Sequence, residues 1–151
     1  FKFAKMGGTI DLTCGESESK FHSVADAVKK AKEEGVPMEK VTMSSDGQGS
    51  WSNYDAEGKL VEIGVSDVDT IYRQIVYMVK EENMDLEELL ALGTKNPAMA
   101  LELYPKKGAV KEESDADILI MNEDLSLDTV IAMGVPMMRD GKILKKGTYE
   151  K

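Results

Sequence analysis

The stretch with the clearest chemical potential is Val41-Thr42-Met43-Ser44-Ser45-Asp46-Gly47-Gln48-Gly49-Ser50. An apolar, β-prone run ends in a carboxylate and then breaks into a Gly-rich loop. In a parallel α/β sheet, chemistry sits beyond the C-terminal ends of strands. A carboxylate fixed there can bind a metal or move a proton. Gly47 and Gly49 let the backbone turn tightly and approach a ligand. The same residues are also an ordinary Asx turn after a strand, and on their own they leave both readings open.

Other reactive groups are few. His22 is the single histidine and Cys14 the single cysteine. His22 falls in a polar loop before a helix and reads as solvated, and no Cys–His or Ser–His–Asp set can be assembled around it. Nothing in the chain clusters as a complete metal site. The run after Asp46 lacks the Lys-Ser/Thr pair of a phosphate-binding P-loop. Ten methionines are scattered over core faces, where packing explains them. Trp51 and Tyr54 read either as pocket lining or as loop anchors.

The elements that must position Asp46 come next. Phe1–Met6 reads as a helix end stopped by Gly7-Gly8. Thr9–Thr13 is a first strand, and Cys14–His22 a polar loop. Ser23 is the expected cap of a helix to about Glu34, with Val24, Ala27, Val28 and Ala31 buried. Gly35 ends it and Val36-Pro37 leads into the strand before Asp46. Strand, helix and strand form a βαβ unit with parallel strands. Gly47–Gly64 reads as a long loop, functional or disordered, in which Asp55–Lys59 could turn a small hairpin. Ser66 is the expected cap of a helix to about Glu82, Asp85 of a shorter one, and Thr94 of a third that runs to about Leu103 with Pro97 in its first turn. After Tyr104-Pro105 the texture turns β: Ala116–Met121 and Asp128–Met133 are strands, and Pro136–Arg139 meets Gly141–Leu144 across Asp140-Gly141.

Length and charge bound the partners. At 151 residues the chain suits one domain or a piece of a larger fold. Nineteen basic against 28 acidic residues give a net charge of -9, which excludes a basic nucleic-acid footprint. No apolar run is long enough to span a bilayer, so no membrane partner is expected. A single cysteine fits a reducing, cytoplasmic setting.

The run Ser44-Ser45-Asp46-Gly47-Gln48-Gly49-Ser50, behind a βαβ unit carrying Ile10-Asp11-Leu12-Thr13, resembles the last two barrel strands of the amidohydrolase superfamily. Thr94-Lys95-Asn96-Pro97-Ala98, Lys107-Gly108, Ser114-Asp115-Ala116-Asp117-Ile118-Leu119-Ile120, Asp128-Thr129-Val130 and Val135–Leu144 are similar to its C-terminal passage. Within the superfamily, the Asp46 run is most similar to the isoaspartyl (β-aspartyl) dipeptidases. The resemblance implies an α/β fold: the last two βα units of a TIM-barrel metallohydrolase over residues 1–104, then strands of a small β-sandwich over 105–151. It implies a binuclear zinc hydrolase acting on small β-aspartyl dipeptides. Asp46 matches the strand-eight aspartate, which binds a metal and carries a proton from bridging water to the leaving amine. Ser50 matches a substrate-contacting serine, with Gly47 and Gly49 shaping its loop.

The superfamily's other zinc ligands match nothing here, and the chain opens mid-pattern on Phe1-Lys2-Phe3. The expectation is therefore a C-terminal fragment that is catalytically silent alone, because one carboxylate cannot hold two zincs. Exposed apolar edges make self-association, a homo-oligomer, the expected state. The alternatives are another amidohydrolase (a deacetylase, dihydropyrimidinase or deaminase relative) and a non-catalytic interaction module with a structural Asp-Gly loop.

Overall fold

The computed structural model describes residues 1–147. Its centre is a pair of parallel strands, β1 (Ile10–Thr13) and β2 (Val41–Ser44), in register from Ile10 opposite Val41 to Thr13 opposite Ser44. Parallel strands need a long crossover. It is supplied by α2 (Glu18–Glu33), which follows the short α1 (Lys2–Lys5) in the chain. Alternation along a strand sends Ile10, Leu12, Val41 and Met43 to one face. There they pack with Val24, Ala25, Val28 and Ala31 of α2 in a single apolar core.

The core is completed from α3 (Thr70–Lys80) and α4 (Leu86–Gly93), with the short α5 (Lys95–Ala100) following them. Ile75, Met78, Leu89 and Leu92 are their buried contributions. Each fully buried side chain of this size contributes about 1.5–3 kcal/mol. Polar ties fix how the helices sit. The buried Asn96 donates from Nδ2 to the carbonyls of Met38 and Val41, both at 2.8 Å, and so pins α5 to the entry of β2. Gln74, fully buried, donates to the Phe21 carbonyl at 3.0 Å and joins α3 to α2.

Between β2 and α3 stands a hairpin of β3 (Ser50–Tyr54) and β4 (Leu60–Val65). After α5, the strands β5 (Ile118–Met121), β6 (Leu127–Ala132), β7 (Val135–Arg139) and β8 (Lys142–Ile143) form an antiparallel sheet in sequential order. Two of its turns, Met133-Gly134 and Asp140-Gly141, carry positive φ at both residues, which suits the twist of tight hairpins. The Tyr72 hydroxyl donates to the Leu125 carbonyl at 2.8 Å and ties α3 to this sheet. A cavity of about 200 Å³, lined by Val68, Ile71, Leu90 and Leu119 among others, lies between them.

The parallel βαβ unit, the Asp85 cap and the Asp140-Gly141 hairpin agree with the sequence pattern; five local expectations do not. α2 begins one and a half turns before Ser23: Ser17 is the cap, accepting from the Lys20 amide, and His22 lies inside the helix. Ala25 rather than Ala27 completes its buried stripe. The long loop is mostly hairpin, with its turn at Asp55–Lys59 as expected but with arms reaching back to Ser50 and on to Val65. Ser66 does not cap α3, because its N–H donates to Gly49 and its carbonyl accepts from Gln48, which extends the hairpin ladder. Thr94 turns its hydroxyl back to the Leu90 carbonyl at 2.7 Å instead of capping α5, which stops at Ala100.

Replacing Asn96 by Ala strands two carbonyls at the mouth of β2. The variant is expected to lose about 2–4 kcal/mol of unfolding free energy. Urea titration followed by circular dichroism reads this directly, and a loss below about 1 kcal/mol shows that water can replace the amide.

Candidate functional site

β2 delivers Asp46 to the C-terminal rim of the parallel pair. The strand ends at Ser44, Ser45 bridges, and Asp46 and Gln48 then take left-handed backbone conformations with φ of 50° and 64°. Asp tolerates that region better than most residues because its short side chain can bond locally. The Gly49 amide donates to the Asp46 carbonyl at 2.8 Å, and the Gly47 amide to the Ser45 hydroxyl at 3.1 Å. Two backbone bonds to Ser66, from the Gln48 N–H and to the Gly49 carbonyl, staple this turn to the foot of the β3–β4 hairpin. The buried Thr70 places its hydroxyl 3.4 Å from the Ser45 carbonyl, so α3 supports the turn from behind.

The four residues singled out by sequence therefore sit together. Asp46, Gly47 and Gly49 form one turn, and Ser50 opens β3 directly after it. Both glycines are needed for space. A Cβ on Gly49 would lie 2.6 Å from Asp46 Oδ1, and one on Gly47 would lie 2.8 Å from Val68 Cγ1. The same geometry shows that the exposed Asp46 carboxylate rests against its own turn at the strand's rim. Neither the 200 Å³ cavity nor one of about 230 Å³ beside α2, α4 and α5 includes it. Trp51 lies over Gly64 across the hairpin and anchors it, while Tyr54 is exposed.

A second carboxylate, absent from the sequence reading, occupies the polar face of the strand pair. Asp11 accepts from the Thr42 hydroxyl at 2.7 Å and from the Ser44 hydroxyl at 2.5 Å. Alternation was the signal available for it, since Ile10 and Leu12 facing the core put Asp11 opposite. Cys14, just past the end of β1, is buried, and its thiol is pushed up to about 12 by that burial and by the nearby Asp11 carboxylate. His22, read as a solvated loop residue, instead has Nδ1 2.6 Å from the Tyr77 hydroxyl. Tyr77 also donates to Glu82, whose carboxyl is held below its usual range chiefly by its bond to Lys29. This cluster joins the outer surfaces of α2 and α3, away from the turn.

Among the described residues, no three His, Cys, Asp or Glu side chains converge as a metal site. The turn offers a single candidate ligand, Asp46. These residues do not by themselves fit a two-metal centre. No helix of the described residues is long and apolar enough to cross a membrane.

The model of the amidohydrolase family matches residues 2–144. The chain belongs to the amidohydrolase family. Among solved structures, this amidohydrolase chain is similar to β-aspartyl dipeptidase from the thermophilic, keratin-degrading Fervidobacterium islandicum AW-1 in complex with β-Asp-Leu. The likeness has 36% identity and a TM-score of 0.81 over 99% of this chain and 38% of that one. A second structure of β-aspartyl dipeptidase from the same organism matches at 32% identity and a TM-score of 0.71, over 99% of this chain and 36% of that one. A dihydroorotase from Methanosphaera stadtmanae is 30% identical over 88 residues, 58% of this chain and 17% of that protein. The chain thus spans well under half the length of these relatives.

The raised Cys14 thiol yields a direct test. A folded thiol that ionises near 12 rather than 9.0 supports the fold below pH 9 and loses that support as pH climbs toward 12. At pH 8 the folded protein is expected to react with a disulfide reagent at least about tenfold more slowly than in urea, because thiolate is the reactive form. Equal rates in both states contradict this placement.

Proposed function

We propose that this chain carries the strand-end aspartate and the substrate loop of a β-aspartyl dipeptidase. That hydrolase cleaves the isopeptide bond between an isoaspartyl β-carboxyl and the following amino acid. The observation that carries the reading is the likeness along 99% of the chain to a β-aspartyl dipeptidase solved with β-Asp-Leu. The Ser44–Ser50 run supports it by forming one rigid turn at the rim of a parallel strand pair. In this reading residues 1–104 belong to a (β/α)8 barrel and residues 105–151 to a small β-sandwich.

Each residue has a part. Asp46, on its stapled turn, accepts a proton from the attacking water and returns it to the departing amine. The Ser50 hydroxyl donates to a substrate carboxylate, and Gly47 and Gly49 keep the turn low enough for a dipeptide to approach. A pair of metal ions, zinc by resemblance, would supply an activated water and a polarised scissile carbonyl if held there. Asp46 would be one ligand, and the others would have to lie outside the described residues. A cytoplasmic setting, with neither nucleic acid nor membrane as partner, completes the proposal. The 88-residue likeness to a dihydroorotase favours, as a second reading, a cyclic amide substrate.

The longer protein containing this sequence is the material for the test. It is expected to hydrolyse β-Asp-Leu in preference to α-Asp-Leu, N-acyl amino acids and dihydroorotate. Asp46→Ala should reduce the rate at least about a thousandfold, and the 151-residue chain alone should show none. Turnover of dihydroorotate with none of β-Asp-Leu overturns the first reading in favour of the second.

We further propose that the chain self-associates. Val61, Ile63 and Val65 are each at least 60% exposed along one strand, and among the described residues β1 and β2 pair only with each other. Light scattering on the purified chain is expected to give a mass above 16.6 kDa, and a clean monomer would count against it.

A further inference from the structure

Asp11 has no part in the function proposed above, yet it is the most elaborately bonded carboxylate near the site. Its two oxygens are divided between two hydroxyls of β2, Thr42 at 2.7 Å and Ser44 at 2.5 Å. Thr42 and Ser44 are consecutive residues on one face of that strand, and Asp11 lies opposite Thr42 in the register. Strand interiors disfavour Asp, whose side chain competes with the ladder. A β-branched residue would serve the pairing better, so a carboxylate here breaks a local rule. Such breaks concentrate where a site demands them.

What the fork controls is the end of β2. Backbone pairing fixes register, but Ser44 is the last residue of the ladder and has a partner strand on one side only among the described residues. Ser45 follows, holding the Gly47 amide with its hydroxyl, and the left-handed turn starts one residue later at Asp46. One residue, Ser45, separates the clasped Ser44 hydroxyl from the proposed proton carrier.

We propose that Asp11 is a positioning residue that orients the Asp46 turn by holding the Thr42 and Ser44 hydroxyls. The catalytic part of this proposal rests on the dipeptidase reading; the structural part does not. An error of about 1 Å in placing a reacting group can reduce rate about a hundredfold. Loss of the fork is therefore read in turnover before it is read in stability.

The test uses Asp11→Ala and, as an independent removal of the same contact, the double variant Thr42→Val with Ser44→Ala. In the longer protein, each is expected to lower kcat on β-Asp-Leu by about tenfold or more, with KM within about threefold and the acidic limb of the pH–rate profile displaced. Combining the two should add little, since they delete one interaction. In the chain itself, amide exchange at Gly47, Gln48 and Gly49 should quicken about tenfold while the α2 amides of the core keep their rates. An unchanged kcat per folded enzyme, or a fall matched by global unfolding with an unmoved pH profile, overturns the proposal. If the parent enzyme does not cleave β-Asp-Leu, the dipeptidase reading fails. The exchange rates then decide alone whether Asp11 holds the turn.

Discussion

The pairing of β1 with β2, with chemically opposite faces, governs everything else in this molecule. Ile10, Leu12, Val41 and Met43 turn inward against α2 and its neighbours, while the Thr42 and Ser44 hydroxyls both donate to Asp11 on the opposite face. A slip of one residue would exchange the two faces, burying a carboxylate and exposing the core side chains. The pairing is therefore held by both faces at once. Asn96 adds a third hold by bonding the carbonyls of Met38 and Val41, so β2 is fixed where it enters as well as along its length.

From a strand fixed this firmly, the turn at its exit inherits a definite place. Asp46 and Gln48 accept left-handed backbone, Gly47 and Gly49 make room for Val68 and the Asp46 carboxylate, and Ser66 and Thr70 close the turn from the far side. An Asx-type turn and a catalytic aspartate are often treated as rivals. Here the turn's own bonds are made by backbone and by Ser45, so the Asp46 carboxylate closes none of the turn's bonds that define its shape. Family membership, and likeness to β-aspartyl dipeptidases over nearly the whole chain, give that carboxylate its proposed role.

Local signals were legible where a side chain had one use. Asp85 caps α4 by accepting from Glu88, and Asp140-Gly141 makes the turn its φ preferences suit. They misled where a residue had two possible partners. Ser23 stands directly before the apolar Val24, but only a start at Ser17 brings Phe21 into line with the Val24–Val28 stripe and against Tyr77. Ser66 has the composition of a cap, yet its backbone is taken by Gly49 and Gln48, a pairing between residues seventeen and eighteen positions apart. The alternation of Val61, Ile63 and Val65 was a strand signal hidden by the Gly, Ser and Asn around it. Asp11 could not be picked out as a clasp, because its partners Thr42 and Ser44 lie thirty-one and thirty-three residues away.

The two backbone bonds at Ser66 also separate what is fixed from what is free to vary. The hairpin leaves the turn at Ser50 and returns to it at Ser66, so its arms and tip form a side excursion whose ends meet at one clamp. Residues can be added to or removed from that excursion without lengthening the path from β2 to α3 through the clamp. A change in the length or sequence of this projection therefore leaves the aspartate beneath it where the strand puts it.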